Sequence, residues 1–532
     1  MSYDRTRDFQ KPGRSQVIAC NGMCATSHPL AAKAAVEVME QGGNAVDAAI
    51  AAAVLLGICE PQMTGLGGDC FALVAKPDGA VIGLNGSGRA PAALSAEALR
   101  AQGFERMPER SPHAVTLPGA VDAFDRLSRD HGRLGLAASL AQAIRYAEEG
   151  VPVAPRVAFD WARGAQNLSG AAREFYLIEG AAPRAGQVFR APRQAEILRR
   201  IAAQGRAAFY EGEVAQDMVD TLRALGGVHT MEDFAAVESE YVEPVSGDYR
   251  GVELVELPPN GQGATAILMA NILRRFDLSA LDPFGAKRAH LEAEATRLAY
   301  DARDRFIADP EHAALRLGHM LSERTAERLA ALIDPERALP EPVKAATEAV
   351  HRETVYVSVV DKDRMAVSLI YSIFHSFGSG LASERFGVLM HNRGACFNLI
   401  PGHPNEAAGG KRPMHTIIPA LLRRGGAVTT SFGVMGGAYQ PCGHVRHLTN
   451  LVDYGMEPQV SMDGPRSFFE KGALTLERGY DAAAAERLAQ MGHRVERAES
   501  PIGGSQSVTI DRKLGVLIGA SDPRKDGCAL GY

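Results

Sequence analysis

Tryptophan occurs once in 532 residues, and aromatic residues make up only 6% of the chain. A groove that grips bases or sugars by stacking has little to be built from. Cationic excess is missing as well: 57 Lys and Arg face 63 Asp and Glu, for a net charge of −6 and a pI near 6.2. Nothing global draws such a chain to nucleic acid or to anionic lipid, so neither is expected as a partner. The cysteines Cys20, Cys24, Cys59, Cys70, Cys396, Cys442 and Cys528 include no CxxC pair. Reduced thiols and no metal site are therefore expected. No long apolar run exists either. The longest stretches only from Ala48 to Cys59, well short of the roughly 20 residues a membrane-crossing helix needs. The start, MSYDRTRDFQKPGRSQV, is charged and holds no apolar segment. No secretory signal is expected from it, and the cytoplasm is the expected compartment.

What is present is ordinary globular material, 46% hydrophobic and 23% charged, with 55 glycines for tight turns and close backbone approaches. The length allows about three domains or one large layered fold. Two helices open the pattern. Pro29 suits a first turn and Gly42-Gly43 a helix end. Asn44 with Asp47 then reads as a cap on AAIAAAVLLGIC, apolar on every side and therefore central. The loop EPQMTGLGGDCF leads into a strand, FALVA, and a hairpin to VIGLN. Four helical segments with i, i+3/i+4 spacing fill the middle: LAASLAQAIRYAEEG, RQAEILRRIAAQG, EVAQDMVDTLRALGG and AHLEAEATRLAYDARDRFIADP. Residues 325–352 carry three prolines and many charges, and past Ile333 they read as an exposed connector. The pattern then changes. TVYVSVVDKDRMAVSLIYSI is a strand, a polar turn and a second strand, neither alternating, as in a sheet covered on both faces. Further strands are predicted near VLMHN, LLRRGGAVTTSFGVMG, ALTLE, SQSVTID and GVLIGASD, with helices at HVRHLTNLVDYG and DAAAAERLAQMG. This is a layered α/β or α+β architecture.

Thr354 heads the first of those strands, directly after the connector. A threonine hydroxyl is a weak nucleophile without an adjacent base. Scission between Glu353 and Thr354 would create a free α-amine on the same residue. Its pKa of about 7.7–8.0 leaves a useful fraction unprotonated near neutrality, so one residue could supply both nucleophile and base. The turn at Lys362-Asp363 places Thr354 opposite Tyr371 or Ser372, and only Ser372 could both hydrogen-bond the nucleophile and lie on its face. From spacing alone, Thr354 is an ordinary β-branched strand residue.

The chain as a whole resembles the gamma-glutamyltranspeptidase family of N-terminal-nucleophile hydrolases. The motifs that carry the resemblance run end to end: HPLAAKAAVEVMEQGGNAVDAAIAAA (28–53), EPQMTGLGGDCF (60–71), LPGAVDAF (117–124), SGDYRG (246–251), LPPNGQG (257–263), ETVYVSVVDKDRMAVSL (353–369), GKRPMHTIIPA (410–420), MGGAYQP (435–441) and GGSQSVTIDRKLGVLIGASDPRKDGCALGY (503–532). It implies an α+β fold of the four-layer αββα type and a proenzyme that cleaves itself before Thr354. The products are a large subunit, 1–353, and a small subunit, 354–532, in one intertwined domain; a homodimer of such heterodimers is left open. Thr354 matches the family's nucleophile, Ser372 the hydroxyl that hydrogen-bonds it, and Gly436 and Gly437 the pair whose N–H groups form the oxyanion hole. No cofactor and no metal are implied.

The departures fall on the substrate side. An Arg that holds the substrate α-carboxylate in glutathione-processing members falls at Ser87, with Arg89 two residues on. An Asn near the nucleophile's partner is replaced by Phe374. A Gln and an Asp that meet the α-carboxylate and α-ammonium fall at Arg393 and Cys396, and paired serines near Lys411 and Arg412. The acid for an α-ammonium is thus missing while cations gather. A carboxylate-bearing acyl group with no obligatory α-amine is the expected small-molecule amide substrate. NRGACF, GKRPMHTIIP and LPPNGQG are similar to the bacterial branch that holds glutathione hydrolase-like enzymes, oxamate amidohydrolase and cephalosporin-acylase-like proteins. The expected activity is amide hydrolysis or acyl transfer. The alternatives are an oxamate-type monoamide hydrolase, a glutaryl or cephalosporin acylase, and a non-processing binding homologue. GLGGDC follows a helix rather than a strand, which excludes a dinucleotide loop. His444 and His447 lie three apart with no acidic partner evident, and His415 reads as a satisfied core histidine. Asp522 and Arg524 read as structural.

Overall fold

The computed structural model describes residues 3–340 and 354–532. Fourteen strands form two seven-stranded antiparallel sheets. In chain order they are β1 (Val17–Ala19), β2 (Met23–Thr26), β3 (Asp69–Ala75), β4 (Val81–Gly86), β5 (Glu240–Val242), β6 (Val245–Tyr249), β7 (Val252–Glu256), β8 (Val355–Val360), β9 (Ala366–Ser372), β10 (Ala420–Arg424), β11 (Ala427–Met435), β12 (Gly504–Asp511), β13 (Val516–Ser521) and β14 (Cys528–Gly531). The first sheet runs β1-β13-β12-β11-β10-β7-β6 and the second β14-β2-β8-β9-β3-β4-β5. Strands from beyond residue 354 hold the middle of both sheets and pair outward onto strands from before residue 340: β8 on β2, β9 on β3, β10 on β7 and β13 on β1.

Helices cover the outer faces. α1 (Pro29–Glu40) and α2 (Ala45–Cys59) pack on the second sheet; α3 (Pro155–Gly164) follows in the same helical half. α4 (Gly263–Leu273) and α6 (Gln440–Val452) cover the first sheet, and α5 (Ala286–Phe306) packs on α4. α2 starts as expected. Asn44 Oδ1 accepts from the N–H groups of Val46 and Asp47, and Asp47 accepts from that of Asn44, a reciprocal cap. Every residue of α2 except Gly57 is buried, as its unbroken apolar sequence requires. Three apolar bodies result: helices on sheet, sheet on sheet, and sheet on helices. This is the four-layer αββα sandwich of the N-terminal-nucleophile hydrolases.

β8 and β9 are buried along their whole length, which explains why neither alternates in sequence. Between the sheets the layer is partly polar: Ser358 Oγ lies 2.8 Å from Ser431 Oγ, and the Tyr356 hydroxyl 2.6 Å from Ser368 Oγ. VLMHN departs from expectation and makes only isolated bridges, Ala382 to Leu389 and Gly67 to Met390, because it serves as packing for the loop after α2 rather than as a ladder strand. The connector opens with a helix, Glu323–Ala330, and is mostly exposed from Ala331 to Pro340. No helix among the described residues is long and apolar enough to cross a membrane.

Candidate active site

The β8–β9 register settles the position of Thr354. Val355 pairs with Tyr371, so Thr354 lies across from Ser372, and Ser372 pairs in turn with Asp69 at the head of β3. Three polar side chains therefore share one end of the sheet, and directly opposed residues face the same side. Thr354 Oγ1 donates to Ser372 Oγ at 3.4 Å, and Ser372 Oγ accepts the N–H of Phe374 at 2.9 Å. Glu353, on the other side of the expected scissile bond, lies outside the described residues. The GLGG loop explains how this end is held. A Cβ at Gly68 would fall 2.5 Å from the carbonyl oxygen of Ser372, and one at Gly67 would fall 2.3 Å from that of Leu389. Only glycine lets the loop lie this close to the strand end.

On the facing sheet, β11 ends at Met435 and the chain turns through Gly436 at φ +123, a conformation that L side chains avoid. Gly437–Tyr439 forms one tight turn that runs into α6. Gln262, from the LPPNGQG motif, pins this turn: its Nε2 donates to the Gly437 carbonyl at 3.0 Å and to that of Thr416 at 2.6 Å. Arg303 donates to its Oε1 at 3.1 Å. Thr354, Met435, Gly436 and Gly503 meet at a cavity of about 160 Å³. Ser500, Pro501 and Lys525 line it as well, together with Arg156, Asp160 and Arg163 of α3. Three cations and one carboxylate thus line the space beside Thr354. Asp160 takes a two-oxygen contact from Arg156 Nε at 2.9 Å and lies 3.7 Å from Lys525 Nζ. Sequence reasoning missed the α3 residues, which carry no motif. Gln262 and Lys525 sit inside quoted motifs, where a role could have been asked of them.

The expected substrate residues divide. Phe374, at φ +79, stacks on His375 and lies under the guanidinium of Arg393, whose Cζ is 3.9 Å from the ring centroid. Arg393 is fully buried. It donates to Thr416 Oγ1 at 2.8 Å, and half-buried Cys396 is 3.9 Å from it. These three residues gather beside Ser372. Arg89 and Arg412 instead share an acidic group. Arg89 reaches Glu240 at 3.0 Å, Glu311 at 2.8 Å and Asp309 at 3.6 Å; Arg412 reaches Glu240 at 2.7 Å and Glu311 at 3.5 Å. Lys411 donates to the carbonyls of Pro404 and Glu406 and so ties down its own loop. Three carboxylates already compensate Arg89 and Arg412, and a substrate carboxylate would have to compete with them.

Behind this end of the sheet lies a fully buried network. Asp69 Oδ1 accepts from the N–H groups of Gly88 at 3.0 Å and Gly119 at 3.2 Å, and its Oδ2 lies 2.9 Å from His415 Nε2, 3.3 Å from His391 Nδ1 and 4.0 Å from Arg393 Nε. Burial alone would raise the Asp69 carboxyl, but His391 and His415 outweigh it and hold it far below the usual carboxylate range. Burial, then the nearby Arg393, pushes His415 down to about 3, so it is neutral and donates to Asp69. His444 does have an acidic partner: its Nδ1 lies 2.6 Å from Glu256 Oε1, contributed by β7, a strand far away in sequence. His447 bonds Ser461. Among the described residues, His290, Glu294 and His493 cluster as metal ligands would. The two imidazoles already bond each other at 2.7 Å, and Arg297 sits 3.0 Å from Glu294, so a guanidinium charge occupies the place of a cation.

The profile of the family described as gamma-glutamyltranspeptidase matches residues 31–532. The glutathione hydrolase-like YwrD proenzyme of Bacillus subtilis is 34% identical, with 97% of this chain and 99% of that protein covered. The oxamate amidohydrolase proenzyme of Klebsiella pneumoniae is also 34% identical, over 97% of this chain and 100% of its own length. A cephalosporin acylase from Bacillus halodurans superimposes with a TM-score of 0.91 at 38% identity, covering 99% of this chain and 98% of the other. Fold, motif order and these likenesses agree, and the chain belongs to the gamma-glutamyltranspeptidase family of hydrolases and acyltransferases.

Proposed function

We propose that this enzyme is a self-processing amide hydrolase whose nucleophile is Thr354, released as an amino terminus by scission after Glu353. One observation carries the reading: the Thr354 hydroxyl, bonded to Ser372, stands at the wall of a cavity that Gly436 also lines. In acylation the Thr354 Oγ attacks the amide carbonyl carbon. Its α-amine takes the hydroxyl proton and passes it to the departing nitrogen as the C–N bond breaks. The oxygen that gains charge is met by the N–H groups of Gly436 and Gly437, each such donor being worth about 2.7–4 kcal/mol in the transition state. Water, activated by the same amine, then splits the ester, or an acceptor amine does so in acyl transfer. Ser372 holds the nucleophile's rotamer, and Gln262 holds the Gly437 turn.

The acyl group we assign to the Phe374–Arg393 side. Arg393 is the cation there; fully buried against Phe374 and 4.0 Å from Asp69, it favours a carboxylate on the acyl chain through its field rather than as an open partner. Cys396 offers no charge to an α-ammonium. The likeness to an oxamate amidohydrolase supports a second reading on the same site, a short monoamide of a dicarboxylic acid. A hydrolysis panel on the processed enzyme separates the cases: glutathione, a γ-glutamyl anilide, oxamate and a glutaryl amide. Turnover of the glutaryl amide or of oxamate at least as efficient as that of glutathione is expected; glutathione as clearly the best substrate contradicts the acyl-pocket reading.

A further inference from the structure

The two glycines that offer the oxyanion donors cannot hold their own shape. Gly436 sits at φ +123 and Gly437 at φ +54, and a glycine leaves such a conformation at little cost. The turn keeps one bond of its own at Gly436, whose carbonyl accepts the Tyr439 N–H at 3.0 Å. The next two carbonyls are held from outside. That of Gly437 accepts Gln262 Nε2 at 3.0 Å in addition to the Gln440 N–H, and that of Ala438 accepts the Tyr300 hydroxyl. Successive rigid peptide planes share a Cα, so releasing these carbonyls lets the glycine pair rotate and swings its N–H groups off their target.

Both outside bonds lead to one face of α5. Tyr300 and Arg303 lie three residues apart, hence on the same side of the helix. The Arg303 guanidinium stacks on the Tyr300 ring, its Cζ 4.3 Å from the centroid. Its Nη1 donates to Gln262 Oε1 at 3.1 Å and its Nε to Asp304 Oδ1 at 2.8 Å. A guanidinium can only donate, so it turns the Gln262 oxygen toward itself and the Gln262 NH2 toward two carbonyls, those of Gly437 and Thr416. The Thr416 hydroxyl in turn holds Arg393, so one amide fixes the turn relative to the acyl-side cation. Packing alone would not ask for a buried guanidinium here. An apolar residue of similar volume fills such a place without the cost of desolvating a charge. Neither Tyr300 nor Arg303 lines the cavity at Thr354.

We propose that Tyr300 and Arg303 are positioning residues for amide hydrolysis: through the Ala438 carbonyl and through Gln262, they aim the Gly436 and Gly437 N–H groups at the oxygen that gains charge. The inference rests on Thr354 as nucleophile and on those two N–H groups as the oxyanion donors.

The test uses processed enzyme and two anilides, γ-glutamyl and glutaryl, each as the amide and as the thioamide. Sulfur is larger than oxygen and a weaker acceptor, so well-aimed donors favour the amide, and the amide-to-thioamide ratio of kcat/KM reports their aim. Arg303→Met is expected to lower kcat for the amide about 10- to 100-fold with KM little changed. Tyr300→Phe, which deletes one hydroxyl and keeps the ring, is expected to lower it about three- to tenfold, and it keeps the test open if Arg303→Met does not fold. Both are expected to bring the ratio down from its wild-type value. Because the ratio is taken within each variant, loss of folded protein does not move it. In a Gln262→Met background, Arg303→Met is expected to add no further loss, because it acts through that amide. A ratio unmoved in the variants that fold, or a full additional loss on top of Gln262→Met, overturns the positioning role and leaves Thr354 as nucleophile. A ratio unmoved by Gly436→Ala as well overturns the oxyanion assignment beneath it.

Discussion

Thr354 is chemically unremarkable until its neighbours are counted. Its hydroxyl has Ser372 as partner, scission before it would free its amine, and Gly436 lines the same cavity. Thr354→Ala is expected to leave an uncut chain and to lower amide hydrolysis by at least about 10⁴-fold, read by denaturing gel and by rate. Gly436→Ala places a methyl group at φ +123, 3.0 Å from the Gly503 Cα, and tilts the turn that carries the oxyanion donors. A kcat loss of about 10²–10³-fold with KM little changed is expected. Asp69→Asn breaks a fully buried charge network and is expected to destabilise the protein by about 3 kcal/mol, read as a fall in denaturant midpoint. The hairpin turn put Thr354 near Ser372 in sequence, but spacing alone made Thr354 an ordinary strand residue, and its role as nucleophile came from the family resemblance. The pairing of Arg89 and Arg412 was not. Glu240, Asp309 and Glu311, which compensate them, come from segments brought close only by folding. For the same reason the Glu256 partner of His444 stayed hidden.

At the scale of elements, the β8–β9 hairpin is the unit that makes the site. Its register could be read to within one residue from the turn, and the structure chooses Ser372 over Tyr371. The helices α1 and α2 were readable from Pro29, the Asn44–Asp47 cap and unbroken apolarity, all local signals. VLMHN looked like a strand because β-branched and apolar residues suit both a ladder and a buried loop; which one forms depends on a neighbour, here Gly67. The GLGG loop was noticed but had no assignable task in sequence, since close approach of one backbone to another leaves no side-chain signature. Gly68→Val tests that task. Its side chain would meet the Ser372 carbonyl, so the variant is expected to lose about 1–3 kcal/mol of stability and to process more slowly than wild type at equal folded fraction.

For the whole molecule, interleaved strands mean that scission between residues 340 and 354 leaves two chains tied by β-ladders in both sheets. Buried histidines give the assembly an acid limit. Burial lowers His415, His444 and His447 to about 3, and His28, His229 and His493 to about 4. Their unfolded values lie near 6.5, so the unfolded chain binds more protons in between. Their contribution is full above pH 6.5 and is lost as pH falls toward 3. Glu60, raised to about 7 by burial, acts oppositely: its contribution is present below about 4.5 and is lost as pH rises through 7. Burial raises Glu256, Asp361 and Asp453 in the same way, so a single histidine is the clean test: His447→Gln, which removes one low-titrating imidazole, is expected to make the fall in melting temperature from pH 6.5 to pH 4 shallower than in wild type, and an unchanged slope contradicts the neutral-histidine assignment. The layered fold was legible from motif order, whereas the cavity at Thr354 was not, because its walls come from α3, the 435–436 turn, the 500–503 segment and Lys525.

Mass spectrometry of freshly purified, fully active enzyme reaches the central claim most directly. The account predicts two polypeptides, the smaller beginning at Thr354, and, after brief exposure to a turned-over amide, an acyl adduct on that terminal residue. Full activity in a preparation containing only the uncut 532-residue chain would contradict it.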